Sequence, residues 1–165
     1  SINLTASGSS KKFHSWIIFR LGEFYLNYAE AMFRYTGDVE QALPGDKSPL
    51  TARQAINVIR QRTGVKMPEL KAEDVNDPKV FWKRYKNERM VELAFEGHRF
   101  WDVRRWKEGE TFKEVTLMKI TQNNNGTYNY SREKSIRSWD DKMYFFPIPQ
   151  TELMCNTNLA QNPGW

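Results

Sequence analysis

Between residues 17 and 35 the chain reads IIFRLGEFYLNYAEAMFRY, with Leu21, Phe24, Tyr25, Tyr28, Met32 and Tyr35 at i, i+3, i+4, i+7, i+11 and i+14. This spacing predicts an amphipathic helix with an apolar stripe along those residues. Glu30 and Arg34 add an i,i+4 pair, and Gly37-Asp38 supplies a stop. ALPGDKSPL, residues 42–50, is a loop by its prolines and glycine. A second helix is predicted over 52–63: Thr51 is the N-cap, Gln54 completes a capping box, Ala52, Ala55, Ile56 and Ile59 share a side, and Gly64 ends it. Small residues on facing stripes (Ala29, Ala31, Ala52, Ala55) let two helices pack closely as an antiparallel hairpin. Leu26, Ala29, Glu30, Ala31, Gly37, Asp38 and Ala42 echo the first helix and turn of a tetratricopeptide repeat.

Asp77-Pro78 opens a third helix, predicted to continue to about Glu96 and to break at Gly97. HRFWDVRRW, residues 98–106, predicts a short further helix. After Thr111 the period changes: TFKEVTLMKIT is rich in β-branched residues, NNNGT is a turn, and TYNYS alternates polar and aromatic, which predicts a small hairpin. The end, YFFPIPQTELMCNTNLAQNPGW, holds three prolines; it predicts an extended segment lying over the helices, with one helical turn near Gln150–Leu153. The expected organisation is a mostly α chain, helical over 15–106, hairpin and irregular over 107–140, and an extended proline-rich tail over 141–165.

The chain has 165 residues, 39% hydrophobic and 14% aromatic, which is material for a packed core. Its net charge is +5, but 25 basic and 20 acidic residues alternate along it. That favours a mixed, solvated surface over a nucleic-acid stripe. Cys155 is the single cysteine, so the chain forms no internal disulfide and no cysteine zinc set. No apolar run is long enough to span a bilayer. The first residues, SINLTASGSSKK, are polar and serine-rich and resemble no signal peptide; the expectation is that the chain begins inside a longer protein.

The stretch NERMVELAFEGHRFWDVRRW, residues 87–106, concentrates the charge. On a helix continuing to residue 96, Glu88, Glu92 and Glu96 fall in one sector bordered by Phe81, Tyr85 and Phe95, opposite Lys83, Lys86 and Asn87. Inward-facing carboxylates need cations or donors. One reading makes them the acid and base of a glycosidase, but neighbours on one helix point the same way and do not flank a scissile bond. The other makes Glu88, Glu92 and Glu96 buried ion-pair anchors for Arg20, Arg89 and Arg99, whose planar forks can bridge carboxylates. The second reading is preferred. His98 has only His14 as a fellow histidine and no metal-ligand spacing, so it reads as a packed residue. Ser15, Ser131 and Thr127 have no partnered His/Asp arrangement, and no phosphate-binding glycine loop is present. Asn3, Asn125 and Asn129 begin N-x-[ST] sequons, which matter only in a eukaryotic secreted protein. Phe81, Trp82, Phe100, Trp101 and Trp106 read as core, whereas Tyr128, Tyr130 and Trp139 lie where an aromatic ring could stack on a sugar.

Four segments, FRLGEFYLNYAEAMFRYTGD (19–38), ARQAINVIRQRTGV (52–65), NERMVELAFEGHRFWDVRRW and YFFPIPQTELMCNTNLAQNPGW, resemble in order the C-terminal part of the SusD/RagB family. The ending TNLAQNPGW is the most specific, and Cys155-Asn156 departs from the pattern. The resemblance implies a mostly helical fold with tetratricopeptide-like pairs, of which the N-terminal part is absent here. It also implies a non-enzymatic, lipid-anchored outer-membrane protein of Bacteroidetes that captures glycans, or peptides in RagB-like relatives. Such a protein sits as a lid over a SusC-type TonB-dependent transporter and takes part in polysaccharide utilisation. No cofactor is implied. The anchor and most sugar-contacting aromatics of the family lie upstream of this segment, so the resemblance transfers no binding residue. The rival functions are a tetratricopeptide-type adaptor, a glycoside hydrolase, and a nucleic-acid binder using FWKRYKNER, residues 81–89, whose cations scatter around the helix.

Overall fold

The computed structural model describes residues 17–45 and 49–165, which fall into two compact units, up to Glu96 and from Gly97 onward. His14, Ser15 and the Asn3 sequon lie outside the described residues. The described chain is mostly helical with one small antiparallel sheet.

The first unit is built on α1 (Leu21–Thr36), α2 (Ala52–Arg60) and α3 (Pro78–Glu92). Gly37 closes α1 in the left-handed region (φ 71°), where its N–H bonds to the Phe33 carbonyl. The capping box of α2 forms: Thr51 Oγ1 accepts the Gln54 N–H at 3.2 Å and Gln54 Oε1 accepts the Thr51 N–H at 2.9 Å. Asp77 caps α3, accepting the Lys79 N–H at 2.7 Å, with Pro78 at the first helical position. α1 and α2 run antiparallel: Arg53 N–H, in the first turn of α2, bonds to Val39 just past α1. At the opposite ends, Arg20 before α1 and Arg62 after α2 meet on one carboxylate, Glu92. Buried in this unit are Leu26, Ala29 and Met32 of α1, Ala52, Ala55, Ile56 and Ile59 of α2, and Phe81 and Tyr85 of α3. Phe33 stacks with Trp82 and packs at a tilt on Phe81, centroids 6.0 and 4.8 Å away. Buried Asn57 holds the loop after α2, since its side chain both donates to the Leu70 carbonyl (3.1 Å) and accepts the Leu70 N–H (2.8 Å).

Several expectations are corrected here. The periodic stripe of α1 is only in part its core face: Met32 is buried, but Leu21, Phe24 and Tyr35 are exposed, as is Ala31, and the buried side is Leu26, Ala29, Glu30 and Met32. Close helix packing requires small residues at the contact, which the aromatic stripe does not supply. α2 stops at Arg60, and α3 stops at Glu92 rather than Glu96, with Leu93 leaving the helix (φ −101°, ψ 26°). Phe95 then takes a positive φ of 65° and stands fully exposed, so it borders no buried sector.

The second unit carries α4 (His98–Arg105), a hairpin of β1 (Glu114–Gln122) and β2 (Tyr128–Ile136), and α5 (Gln150–Cys155). The hairpin pairs Glu114 with Ile136 through to Gln122 with Tyr128. Its turn uses Gly126 at φ 80°, and the Asn123 N–H bonds to the Thr127 carbonyl at 2.8 Å. Phe100 and Trp101, expected in the core, are exposed, though both rings pack on Phe146 with centroids about 6 Å away. The Arg104 guanidinium lies 3.6 Å over Phe100.

Candidate functional site

The carboxylates singled out by sequence gather where three helices of the first unit end. Arg20 sits at the N-cap of α1 in extended conformation (φ −147°, ψ 153°), and its side chain makes no capping hydrogen bond. Its Nε donates to both oxygens of Glu96 at 2.9 and 2.8 Å, its Nη1 donates to Glu92 Oε1 at 2.5 Å, and its Nη2 donates to the Glu92 carbonyl. One guanidinium therefore spans two carboxylates and a carbonyl at the end of α3 that has no helical donor. Arg62, just after α2, donates to the same Glu92 oxygen, and Arg60 in the last turn of α2 holds Glu88 at 2.5 Å. Gly22 leaves room for this cluster, because a Cβ there would stand 2.8 Å from Arg20 Nη1 and 2.9 Å from Glu92 Oε1.

Burial of the Glu92 carboxyl acts to raise its pKa, but the hydrogen bonds from Arg62 and Arg20 outweigh it and hold the group below its ordinary value. The hydrogen bond to Glu96 leads in raising the Arg20 pKa further still. A general acid must hold a proton near neutral pH, whereas here two arginines favour the ionised form. The arrangement is chemically suited to holding helices together.

Beside Arg20, the glutamates are held by Arg60 and Arg62, two residues apart at the end of α2. Arg89 is buried and donates to Asn27 Oδ1 at 2.8 Å, and the Arg99 guanidinium lies 5.7 Å over the Phe112 ring. Sequence carried a signal for Arg60 and Arg62, since cations cluster where a helix ends, but not for which acid each meets.

In the second unit, Tyr128 and Tyr130 project from one face of the hairpin, opposite Gln122 and Ile120, and both are exposed. Trp139 belongs to a separate cluster. It is half-buried, with Tyr144 at 5.1 Å and Phe112 at 6.3 Å, and its ring lies directly over Gly109. Gly109, which sequence reasoning passed over, also donates its N–H to the Tyr144 hydroxyl at 2.9 Å. Thr127 serves the turn, bonding through N–H and hydroxyl to Asn125 Oδ1 at 3.1 and 2.7 Å. His98 opens α4 behind Gly97. No group of three or more His, Cys, Asp or Glu able to hold a metal ion occurs among the described residues.

The final residues each grip the segment before α5. The Gln161 side chain accepts the Ile148 N–H at 2.8 Å and donates to the Ile148 carbonyl at 2.9 Å, between two prolines. Asn162 donates to the Phe146 carbonyl at 2.6 Å, and Trp165 Nε1 to the Lys142 carbonyl at 3.0 Å. Gly164 makes the last bend at φ 86°. The ending AQNPGW is thus a clamp in which side-chain amides supply the pairing that proline backbone cannot complete by itself.

Cavities of the first unit open on both α1 and α3. One, of about 600 Å³, is walled by the exposed stripe of α1 (Leu21, Phe24, Tyr25, Tyr28 and Ala31), with Asn27 and Leu50. The other, of about 450 Å³, lies against α3.

Comparison with solved structures finds a SusD-like protein (BF3747) from Bacteroides fragilis NCTC 9343, 39% identical, with a TM-score of 0.71 over 91% of this chain and 26% of that one. It also finds BT4246, 32% identical, with a TM-score of 0.67 over 91% of this chain and 24% of that one. A selenomethionine form of BT4246 matches at 29% identity and a TM-score of 0.69 over 95% of this chain and 26% of that one. The chain therefore spans about a quarter of the length of these solved relatives. No curated protein matches it. The model of the SusD family matches residues 2–165, nearly the whole chain. With its four sequence segments, its helix-end arginine–glutamate cluster and its C-terminal clamp inside that match, the chain belongs to the SusD/RagB family.

Proposed function

We propose that this chain is the C-terminal portion of a non-enzymatic glycan-binding subunit, held on the outer membrane by a lipid anchor and working with a SusC-type TonB-dependent transporter. The observation that carries this reading is the family match over residues 2–165. Two structural features support it. The conspicuous carboxylates are engaged by Arg20, Arg60 and Arg62 instead of facing each other across a cleft. The sugar-stacking candidates Tyr128 and Tyr130 stand on the hairpin, while Trp139 packs elsewhere, so they offer no concavity of converging rings. In this reading the segment is chiefly scaffold, Glu88, Glu92, Glu96, Arg20 and Arg89 serve as structural anchors, and α1–α2 is one tetratricopeptide-like pair. Arg99 we place instead with the Phe112 ring packing of the second unit.

Peptide capture is the alternative ligand chemistry in the same complex. The partnership is tested by solubilising outer membranes in mild detergent and isolating the tagged full-length protein. We expect a TonB-dependent transporter to accompany it in comparable amount. Recovery of the protein alone from the membrane fraction, with the transporter elsewhere, contradicts the reading.

A further inference from the structure

Val80, Lys83, Arg84 and Asn87 follow one another at i, i+3, i+4 and i+7 on α3 and so share one face. With Arg60 at the end of α2, Leu70 from the loop and Glu88, they wall the cavity of about 450 Å³. The four cations of FWKRYKNER divide their work. Lys86 lies 5.8 Å over the Trp82 ring and Arg89 is buried against Asn27. Lys83 and Arg84 are exposed and make no ion pair with a carboxylate among the described residues. Arg60 is already engaged, by Glu88 at 2.5 Å and by the Pro68 carbonyl at 2.7 Å. The cavity thus holds three cations against one carboxylate, and that carboxylate is neutralised by the cation nearest it. Leu70, buried, and Val80, half-exposed, give it an apolar wall, and the Asn87 amide adds a neutral donor and acceptor.

We propose that this cavity binds the carboxylate of an acidic saccharide, a uronate, with Arg84 and Lys83 taking the anion and Leu70 and Val80 meeting the apolar face of the ring. The proposal rests on the glycan-binding reading and names a substrate class within it. Arginine binds a carboxylate through two parallel N–H groups, and lysine adds a point charge. A concave wall with excess positive charge concentrates anions in a salt-dependent way. A nucleic acid is a poor fit, because it needs cations along a stripe and the two without a carboxylate partner, Lys83 and Arg84, occupy a single turn of α3.

The test uses the full-length protein, with digalacturonate as probe and neutral galactobiose as its control, followed by calorimetry at low and high salt. We expect digalacturonate to bind and to weaken at high salt. The double variant Lys83→Ala/Arg84→Ala should lose about tenfold in affinity, as loss of charge-assisted bonds implies. Arg84→Lys should retain part of it, and circular dichroism should report unchanged folding. If the double variant binds digalacturonate like the parent, or inorganic sulfate displaces the sugar at equal concentration, the uronate site is wrong. Neutral oligosaccharides that bind while digalacturonate does not would overturn this inference alone. Failure of every saccharide would overturn the glycan reading with it.

Discussion

Glu92→Gln lowers the stability of the protein by about 3 kcal/mol, the order expected when one member of a buried ion pair is removed. The Glu92 side chain is only 9% exposed and accepts from both Arg20 and Arg62. The amide cannot serve two guanidinium donors with the same strength, and Arg20 keeps Glu96 as a charged partner with only the neutral carbonyl of residue 92 beside it. For a chain of this size the melting temperature should fall by about 10 °C at neutral pH. The same carboxylate makes stability depend on acid. Its folded pKa lies below the ordinary 4.5, so its contribution is present above about pH 4.5 and lost as pH falls through the folded value. In thermal melts the gap between variant and parent should therefore be full at pH 7 and narrow as the pH falls below 4.5. A variant that melts with the parent at pH 7, or loses a hydrolytic activity, would show that Glu92 is not an anchor.

Gly109→Ala should damage the second unit at least as severely. A Cβ at residue 109 would fall within the Trp139 indole, and Trp139 is fixed in turn by Tyr144 and Phe112. Relief requires the ring or the backbone to move, which disturbs the bond from the Gly109 N–H to the Tyr144 hydroxyl. Overpacking of this kind costs about 3 kcal/mol or more. Near-UV circular dichroism, which reports packed tryptophan, should lose intensity. The double variant Gly109→Ala/Trp139→Ala should be more stable than the sum of the two single losses predicts, because removing the ring removes the clash. Strict additivity would mean that the two positions do not compete for one space.

Where local chemistry alone decides structure, the sequence was sufficient. Thr51 and Gln54 cap α2 through their own backbone, and Asn123 to Thr127 turn the hairpin through Gly126, so neither depends on a distant partner. On α1, periodicity registers apolar character and so points to Leu21, Phe24 and Tyr35 as core, whereas packing buries Leu26, Ala29 and Met32. The end of α3 was misplaced for a related reason. Arg20 reaches both Glu92 and Glu96, so those carboxylates converge without lying on one helix. Partners far apart in sequence, such as Arg60 with Glu88 or Gly109 with Trp139, carry no local signature. The C-terminal clamp was visible as a family pattern before its physical basis in Gln161, Asn162 and Trp165 was apparent.

Capture of a saccharide without chemistry on it, the role proposed for the full-length protein, has a direct test. Calorimetry of the full-length protein against a panel of oligosaccharides, with each sugar recovered and sized afterwards, tests both halves together. The account predicts saturable binding of at least one oligosaccharide, returned at its original length, with affinity preserved in Glu92→Gln at a temperature where the variant stays folded. Cleaved sugar whose appearance depends on Glu92, or no binding to any saccharide in the panel, would contradict it.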